Sequence, residues 1–138
     1  MPDLVAIVRS IYDAFAIGDM PAILQHISED VRWEHWADNS AVTAGVPWLQ
    51  PKRGKAGVAE FFKEVGRFQI HEFKVLSISV GDRTAVGEAF IDATVPGGRR
   101  YRDEELHLWK FDATGKVVLF RHYVDTAKHI SAAGLAKG

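Results

Sequence analysis

The run Arg99-Arg100-Tyr101-Arg102-Asp103-Glu104-Glu105-Leu106-His107-Leu108-Trp109-Lys110-Phe111-Asp112-Ala113-Thr114-Gly115-Lys116-Val117-Val118-Leu119-Phe120-Arg121-His122-Tyr123-Val124-Asp125 decides the fold. Arg99 to Phe111 reads as one long strand. Asp112-Ala113-Thr114-Gly115 supplies the turn chemistry, and Lys116 to Asp125 resumes the extended pattern, so the run is a β-hairpin. Working backwards, Pro96-Gly97-Gly98 reverses the chain out of a strand from Thr84 to Val95, and Gly81-Asp82 joins that strand to another from Phe73 to Val80. Consecutive strands linked by tight reversals make an antiparallel meander. A doubly wound parallel sheet is excluded, because its strands and helices would alternate.

The helices come first. Leu4, Ile7, Val8, Ile11, Tyr12 and Phe15 recur at steps of three and four, one apolar stripe on a helix from about Asp3 to Ile17 that Gly18 stops. Asp19 then caps a shorter helix with Pro21 in its first turn and Ile23, Leu24 and Ile27 on its buried face. Val31 to Trp36 alternates as a half-buried strand with Val31, Trp33 and His35 on one face. Ala37 to Arg53, with Pro47 and Pro51 around Trp48, reads as a long connection of the kind that often covers a site. A third helix from Gly57 to about Phe68 buries Val58, Phe61, Phe62 and Val65. The order is written ααβαβββ, an α+β pattern.

Composition bounds the partners. The 138 residues fit a single domain, expected over residues 1–128 with a short C-terminal tail at 129–138. A chain of this size buries about two-thirds of its unfolded surface without a disulfide or metal staple. It has no Cys, which removes thiol chemistry and Cys-ligated metals. Seventeen basic and eighteen acidic residues are too balanced for nucleic-acid binding. The start, Met1-Pro2-Asp3-Leu4, has no basic segment ahead of an apolar run, and no apolar stretch approaches the ~18 residues of a membrane span, so a cytoplasmic protein with no membrane partner is expected. Six His, several inside apolar segments, are the unusual feature.

Four motifs in order carry a resemblance: Phe15-Ala16-Ile17-Gly18-Asp19; Ile27-Ser28-Glu29-Asp30-Val31-Arg32-Trp33-Glu34; Arg53-Gly54-Lys55-Ala56-Gly57-Val58-Ala59-Glu60-Phe61-Phe62; and Leu108-Trp109-Lys110-Phe111 through Gly115-Lys116-Val117 to Phe120-Arg121-His122-Tyr123-Val124-Asp125. From Val5 to Asp125 the chain resembles the SnoaL-like, ketosteroid-isomerase-like branch of the nuclear transport factor 2-like superfamily. The resemblance implies a strongly curved sheet wrapped as a cone around the N-terminal helices, an apolar pocket inside, and pairing of two copies through the outer sheet face. Gly87, Ala89 and Ala93, alternating with Glu88, fit such a homodimer face. The family spans isomerases, polyketide cyclases, epoxide hydrolases, dehydratases and non-catalytic binding domains, so the fold does not choose an activity.

By the same resemblance His35 stands where the isomerases keep a general-base aspartate, and His107 where they keep a protonated aspartic acid. Period two then adds Tyr101, Asp103, Glu105 and Trp109 to the face of His107, and the last strand adds Phe120 and His122. Arg100, Arg102, Glu104 and Lys110 fall on the other face. Glu88, Phe90 and Asp92 share a face of the preceding strand, of which Glu88 and Phe90 are read as pocket-lining. His35, His107, His122, Glu105 and Asp103 are the candidate catalytic set, because imidazoles buried beside carboxylates must pair with them and such pairs move protons near neutrality. Tyr12, Trp33, Trp48, Phe62, Glu88, Phe90, Tyr101, Trp109 and Phe120 are candidate substrate contacts. Tyr12 lies beside the helix position of the isomerases' catalytic tyrosine, which Ile11 holds. His26, His71 and His129 are read as outside the pocket.

The steroid-isomerase residues are not preserved one for one. Epoxide hydrolysis is disfavoured because Arg102-Asp103 is out of register and His122 stands where that branch needs an aspartate. His35, His107 and His122 with Glu105 could also hold a metal, but no local ligand spacing supports it, and no metal or cofactor is expected. The expected function is acid–base catalysis, an isomerisation, cyclisation or dehydration of an apolar small molecule, or else non-catalytic ligand binding or association on the same fold.

Overall fold

The structure is a computed structural model that describes residues 2–34 and 38–136. His35 therefore lies outside the described residues, as do Trp36 and Ala37. Helix α1 (Leu4–Ala16) starts where the Asp3 side chain accepts from Ala6 N at 3.0 Å, and α2 (Met20–Leu24) where Asp19 does the same for Ala22 N at 3.2 Å. Strand β1 (Ile27–Trp33) begins earlier and ends earlier than its alternation predicts. The expected long loop is instead structured: α3 (Ser40–Ala44), capped by Asn39 and ended by left-handed Gly45, then a 3-10 turn at Pro47–Leu49 and the short strand β2 (Lys52–Arg53). Local caps built this order, and hydrophobic periodicity does not report them. Helix α4 (Gly54–Val65) follows, then β3 (Gln69–Gly81), β4 (Thr84–Thr94), β5 (Arg100–Phe111) and β6 (Val117–Tyr123). The meander has the four strands read from the sequence, one more than the written order ααβαβββ counts.

The six strands form one curved, unclosed sheet in the order β2-β1-β6-β5-β4-β3, antiparallel except for the parallel pair β1 and β6. Helix α1 packs on β3 and β4, and its stripe of Val8, Ile11 and Tyr12 joins Trp33, Trp109 and Phe120 in the core. No helix among the described residues is long and apolar enough to cross a membrane.

Strand β5 alternates as expected, with Tyr101, Asp103, Glu105, His107, Trp109 and Phe111 buried and Arg100, Arg102, Glu104 and Lys110 exposed. Strand β4 overturns the reading. Ala85, Gly87, Ala89, Ile91 and Ala93 are its inner residues, while Glu88 is exposed and bonded to Ser77 Oγ, and Phe90 lies under the Arg102 guanidinium, 5.5 Å from its carbon. Neither Glu88 nor Phe90 can line the interior. Register explains it: Ala85 pairs with Trp109, Gly87 with His107, Ala89 with Glu105 and Ala93 with Tyr101, so small β4 residues leave room for the large inner side chains of β5. Gly87, Ala89 and Ala93 accordingly cannot supply an outer dimer face. The final correction is at the C-terminus, where Asp125 caps a further helix, α5 (Thr126–Ala132), across the start of the expected tail.

Candidate functional site

Two neighbouring strands, β5 and β6, supply the polar wall. His107 on β5 and His122 on β6 are directly opposite in the antiparallel ladder, which sets their rings 4.9 Å apart between centroids. Glu105, two residues before His107 on the same face, sits between them: its Oε1 accepts from His107 Nε2 at 3.2 Å and from His122 Nε2 at 2.6 Å. On the far side of His107, Nδ1 meets the Tyr12 hydroxyl at 2.7 Å. Tyr12 reaches it because its β4 neighbour is Gly87, where a Cβ would fall 2.1 Å from the tyrosine oxygen.

Two further members of the cluster carry no mark in the strand alternation. Glu34 follows the last residue of β1 with φ 60°, a left-handed turn that swings a side chain due to face outward into the core, where it is fully buried. Its Oε1 lies 3.2 Å from His122 Nδ1, at ion-pair distance but off the hydrogen-bond line. His129, expected outside the pocket, is fully buried on α5. Its Nε2 donates to Asp103 Oδ2 at 3.0 Å and lies 3.3 Å from Glu105 Oε2, and its Nδ1 accepts from the Trp48 indole at 2.8 Å. Nothing in the alternation of β1 signals the left-handed residue. An Asp125-to-Lys128 capping pattern ahead of His129 was the available sign of α5.

These contacts push the groups apart electrostatically. Burial opposes charge on Glu105, but His122 beside it and the hydrogen bonds from its histidine neighbours hold its carboxyl well below the usual range. Burial likewise opposes the His122 imidazolium, and Glu105 and Glu34 outweigh it and raise His122 well above the ordinary value. For His107 burial wins over the Glu105 hydrogen bond and lowers its pKa. Burial also raises Glu34, against the pull of His122. A neutral His107 with its proton on Nε2, toward Glu105, has a bare Nδ1 that accepts from the Tyr12 O–H. The surroundings thus favour a neutral imidazole at His107 and an imidazolium at His122, bridged by one carboxylate.

Tyr12, Trp33, Trp48, Phe62, Tyr101, Glu105, His107, Trp109, Phe120 and His122 line one interior cavity of about 60 Å³, completed by further apolar side chains. Trp33 stacks on Phe120 at 4.1 Å between centroids. Of the candidate residues, Asp103 is buried beneath this wall and binds α5 instead, accepting also from Asp125 N at 3.2 Å. Glu88 and Phe90 stand outside. Among the described residues, two groups of side chains have metal-ligating atoms within 4.8 Å of one another: Glu105, His107 and His122, and Asp103, Glu105 and His129. The first is the two-imidazole, one-carboxylate set that suits zinc or iron. Its donor atoms here are joined to each other by hydrogen bonds.

The sequence pattern of the SnoaL-like domain matches residues 8–120. The chain belongs to the SnoaL-like family. Similar solved structures include a nuclear transport factor 2-like protein of unknown function from Burkholderia pseudomallei, 27% identical over 96% of this chain and 98% of that one with a TM-score of 0.75. A proposed polyketide cyclase from Xanthomonas campestris is 17% identical over 94% and 96% at a TM-score of 0.70. An epoxide hydrolase of the LEH-like type from M. tuberculosis is 16% identical over 94% and 88% at 0.69. No curated protein matches the chain. Within the SnoaL-like family such distant likenesses carry the fold alone, so the site has to argue the chemistry.

Proposed function

We propose that this SnoaL-like protein is an acid–base catalyst of the isomerase, cyclase or dehydratase type acting on an apolar small molecule. The observation that carries the reading is the pairing of two cavity-lining imidazoles whose surroundings drive their proton affinities in opposite directions. Groups separated in this way divide the work of acid and base. Tyr12 and His107 are the proton-transfer pair: a substrate C–H proton passes to the Tyr12 oxygen as the tyrosine's own proton passes to His107 Nδ1, and the reverse transfer delivers a proton to a different substrate atom. The His122 imidazolium, held by Glu105 and Glu34, stabilises the negative charge left on the substrate. The aromatic lining from Trp33, Phe62, Trp109 and Phe120 supplies the affinity for an apolar ring. Substrate-sized pockets run to ~300 Å³ or more, so side chains of this lining move aside on binding.

One observation favours the second reading, a non-catalytic ligand-binding domain. All four ring nitrogens of His107 and His122 already face protein partners. A substrate must therefore engage the cluster through Tyr12 or displace a partner. Exchange of acidic C–H protons in D₂O, followed by NMR over a panel of cyclic ketones and 1,3-dicarbonyl compounds, separates the two. Catalysed exchange that Tyr12→Phe and His107→Phe abolish supports the enzyme. Compounds that bind without exchange, together with both histidines titrating near their ordinary ~6.5, support the binding domain.

A further inference from the structure

The C-terminal helix carries a histidine that the proposed chemistry does not use, although it is fully buried against the polar wall. Three contacts latch α5 to β5: Asp103 accepts from Asp125 N and from His129 Nε2, and Lys128 Nζ donates to the Arg102 carbonyl at 2.7 Å. The His129 ring is further packed on Tyr101, 4.4 Å between centroids. Its protonation is decided by Trp48. An indole nitrogen can only donate, so the 2.8 Å contact from Trp48 Nε1 requires His129 Nδ1 to be bare. Asp103 and Glu105 can only accept while ionised, so the contacts at 3.0 and 3.3 Å require a proton on Nε2. Burial opposes charge on His129, but Asp103 and Glu105 outweigh it and raise its pKa; the indole N–H pointing at Nδ1 opposes the second proton that this pull favours. The ring is a single neutral tautomer whose one N–H faces both carboxylates.

We infer that His129, locked by Trp48, is a positioning residue for Glu105. Glu105 Oε1 serves both cavity-lining imidazoles, and its other oxygen lies 3.3 Å from His129 Nε2, at ion-pair distance but off the hydrogen-bond line that Nε2–H makes to Asp103. Without that polar neighbour the carboxylate is held at Oε1 alone, by its hydrogen bonds to His107 and His122, and the bridge that favours a neutral His107 and a protonated His122 loosens. The same lock closes the Asp103, Glu105 and His129 group to a metal, because Nε2 holds a proton rather than a bare lone pair. The helix α5 is thus a working part of the site. This inference rests on the proposed function only for what the positioning serves.

Side-chain nitrogen NMR of ¹⁵N-histidine-labelled protein tests it without any substrate. In the wild type His129 shows the Nε2–H tautomer across neutral pH. In His129→Phe the His122 pKa falls by about one unit or more as its bridge to Glu105 weakens, while His129→Gln, whose amide N–H can replace the Nε2 donor, keeps the wild-type value. In Trp48→Phe the ring stays but the lock is gone, and His129 becomes a mixture of tautomers or an imidazolium. Unchanged His107 and His122 titrations in folded His129→Phe would overturn the inference, as would a Gln variant no closer to wild type than Phe. If His129→Phe fails to fold, Trp48→Phe decides: a His129 that keeps the pure Nε2–H form refutes the lock. Either failure leaves the result of the proton-exchange assay untouched.

Discussion

Gly87→Ala is the sharpest probe of how the fold builds the site. Gly87 is the cross-strand neighbour of His107, and the new Cβ would lie 2.1 Å from the Tyr12 oxygen and 3.0 and 3.1 Å from two of its ring carbons. A side chain on a core helix cannot absorb an overlap of this size by small adjustment, and overpacking of well-filled cores costs about 1–3 kcal/mol. Moving the hydroxyl also breaks its 2.7 Å bond to His107 Nδ1 and leaves a buried acceptor unpaired, a further ~1–3 kcal/mol. Against this, replacing a strand glycine by alanine gains about 0.5–1 kcal/mol. The net expectation is about 1–5 kcal/mol of destabilisation, read by urea unfolding. Tyr12→Phe removes the oxygen and with it the worst overlap, so the double variant should be less unstable than the sum of the singles by ~1–3 kcal/mol, within the range of contacting pairs. A Gly87→Ala protein within ~0.5 kcal/mol of wild type, or strictly additive effects with Tyr12→Phe, would refute the placement of Tyr12 over Gly87.

Three further outcomes are expected. By histidine NMR, His107 titrates below and His122 above the ordinary value; since the proposed catalysis needs His107 neutral and His122 protonated, C–H exchange should rise with pH through the first and fall through the second. Glu105→Gln takes one member from a buried ion cluster and should cost about 3–5 kcal/mol at neutral pH in urea unfolding. Because the native Glu105 pKa is depressed, that stabilisation exists above the unfolded value of ~4.3 and is lost as pH falls through the native one, so the gap between the variant and wild type must close in acid. Glu88→Ala and Phe90→Ala, on the outer face, should leave the His107 and His122 titrations unmoved; a shift in either would restore the inward reading of β4.

What the sequence revealed and what it hid divide along a physical line. The meander, the capped helices and the inner set Tyr101, Asp103, Glu105, His107 and Trp109 were legible, because period two over twelve residues with charged alternates admits one interpretation. Strand β4 misled because both of its faces look burial-competent: Glu88, Phe90 and Asp92 offered chemistry, whereas Ala85, Gly87, Ala89 and Ala93 offered only space. Space was what the structure needed, since the polar side chains of β5 and the Tyr12 ring occupy it. Glu34 was hidden by one left-handed residue, which breaks the parity on which every strand argument rests. His129 was hidden by distance in sequence, a helix away from the strand that it serves.

The same considerations bear on why so much charge is buried here. Glu34, Asp103 and Glu105 with His107, His122 and His129 form a buried group without Lys or Arg contacts in the described hydrogen bonds and ion pairs. If the cluster served stability alone, apolar residues of similar volume would serve as well or better, since desolvation consumes most of the Coulombic gain. Compensating carboxylates with histidines instead of Lys or Arg makes the charge balance depend on protons that can leave. A fixed cation would neutralise Glu105 permanently; an imidazole neutralises it while holding a proton and can still give that proton up, at a pH its surroundings set. The positions of the group favour the same reading. His107, His122 and Glu105 line the cavity, while Glu34, Asp103 and His129 support them from behind. A purely structural ion cluster has no reason to be divided into a cavity-facing layer of titratable groups and a backing layer behind it, whereas the proposed proton transfer uses both.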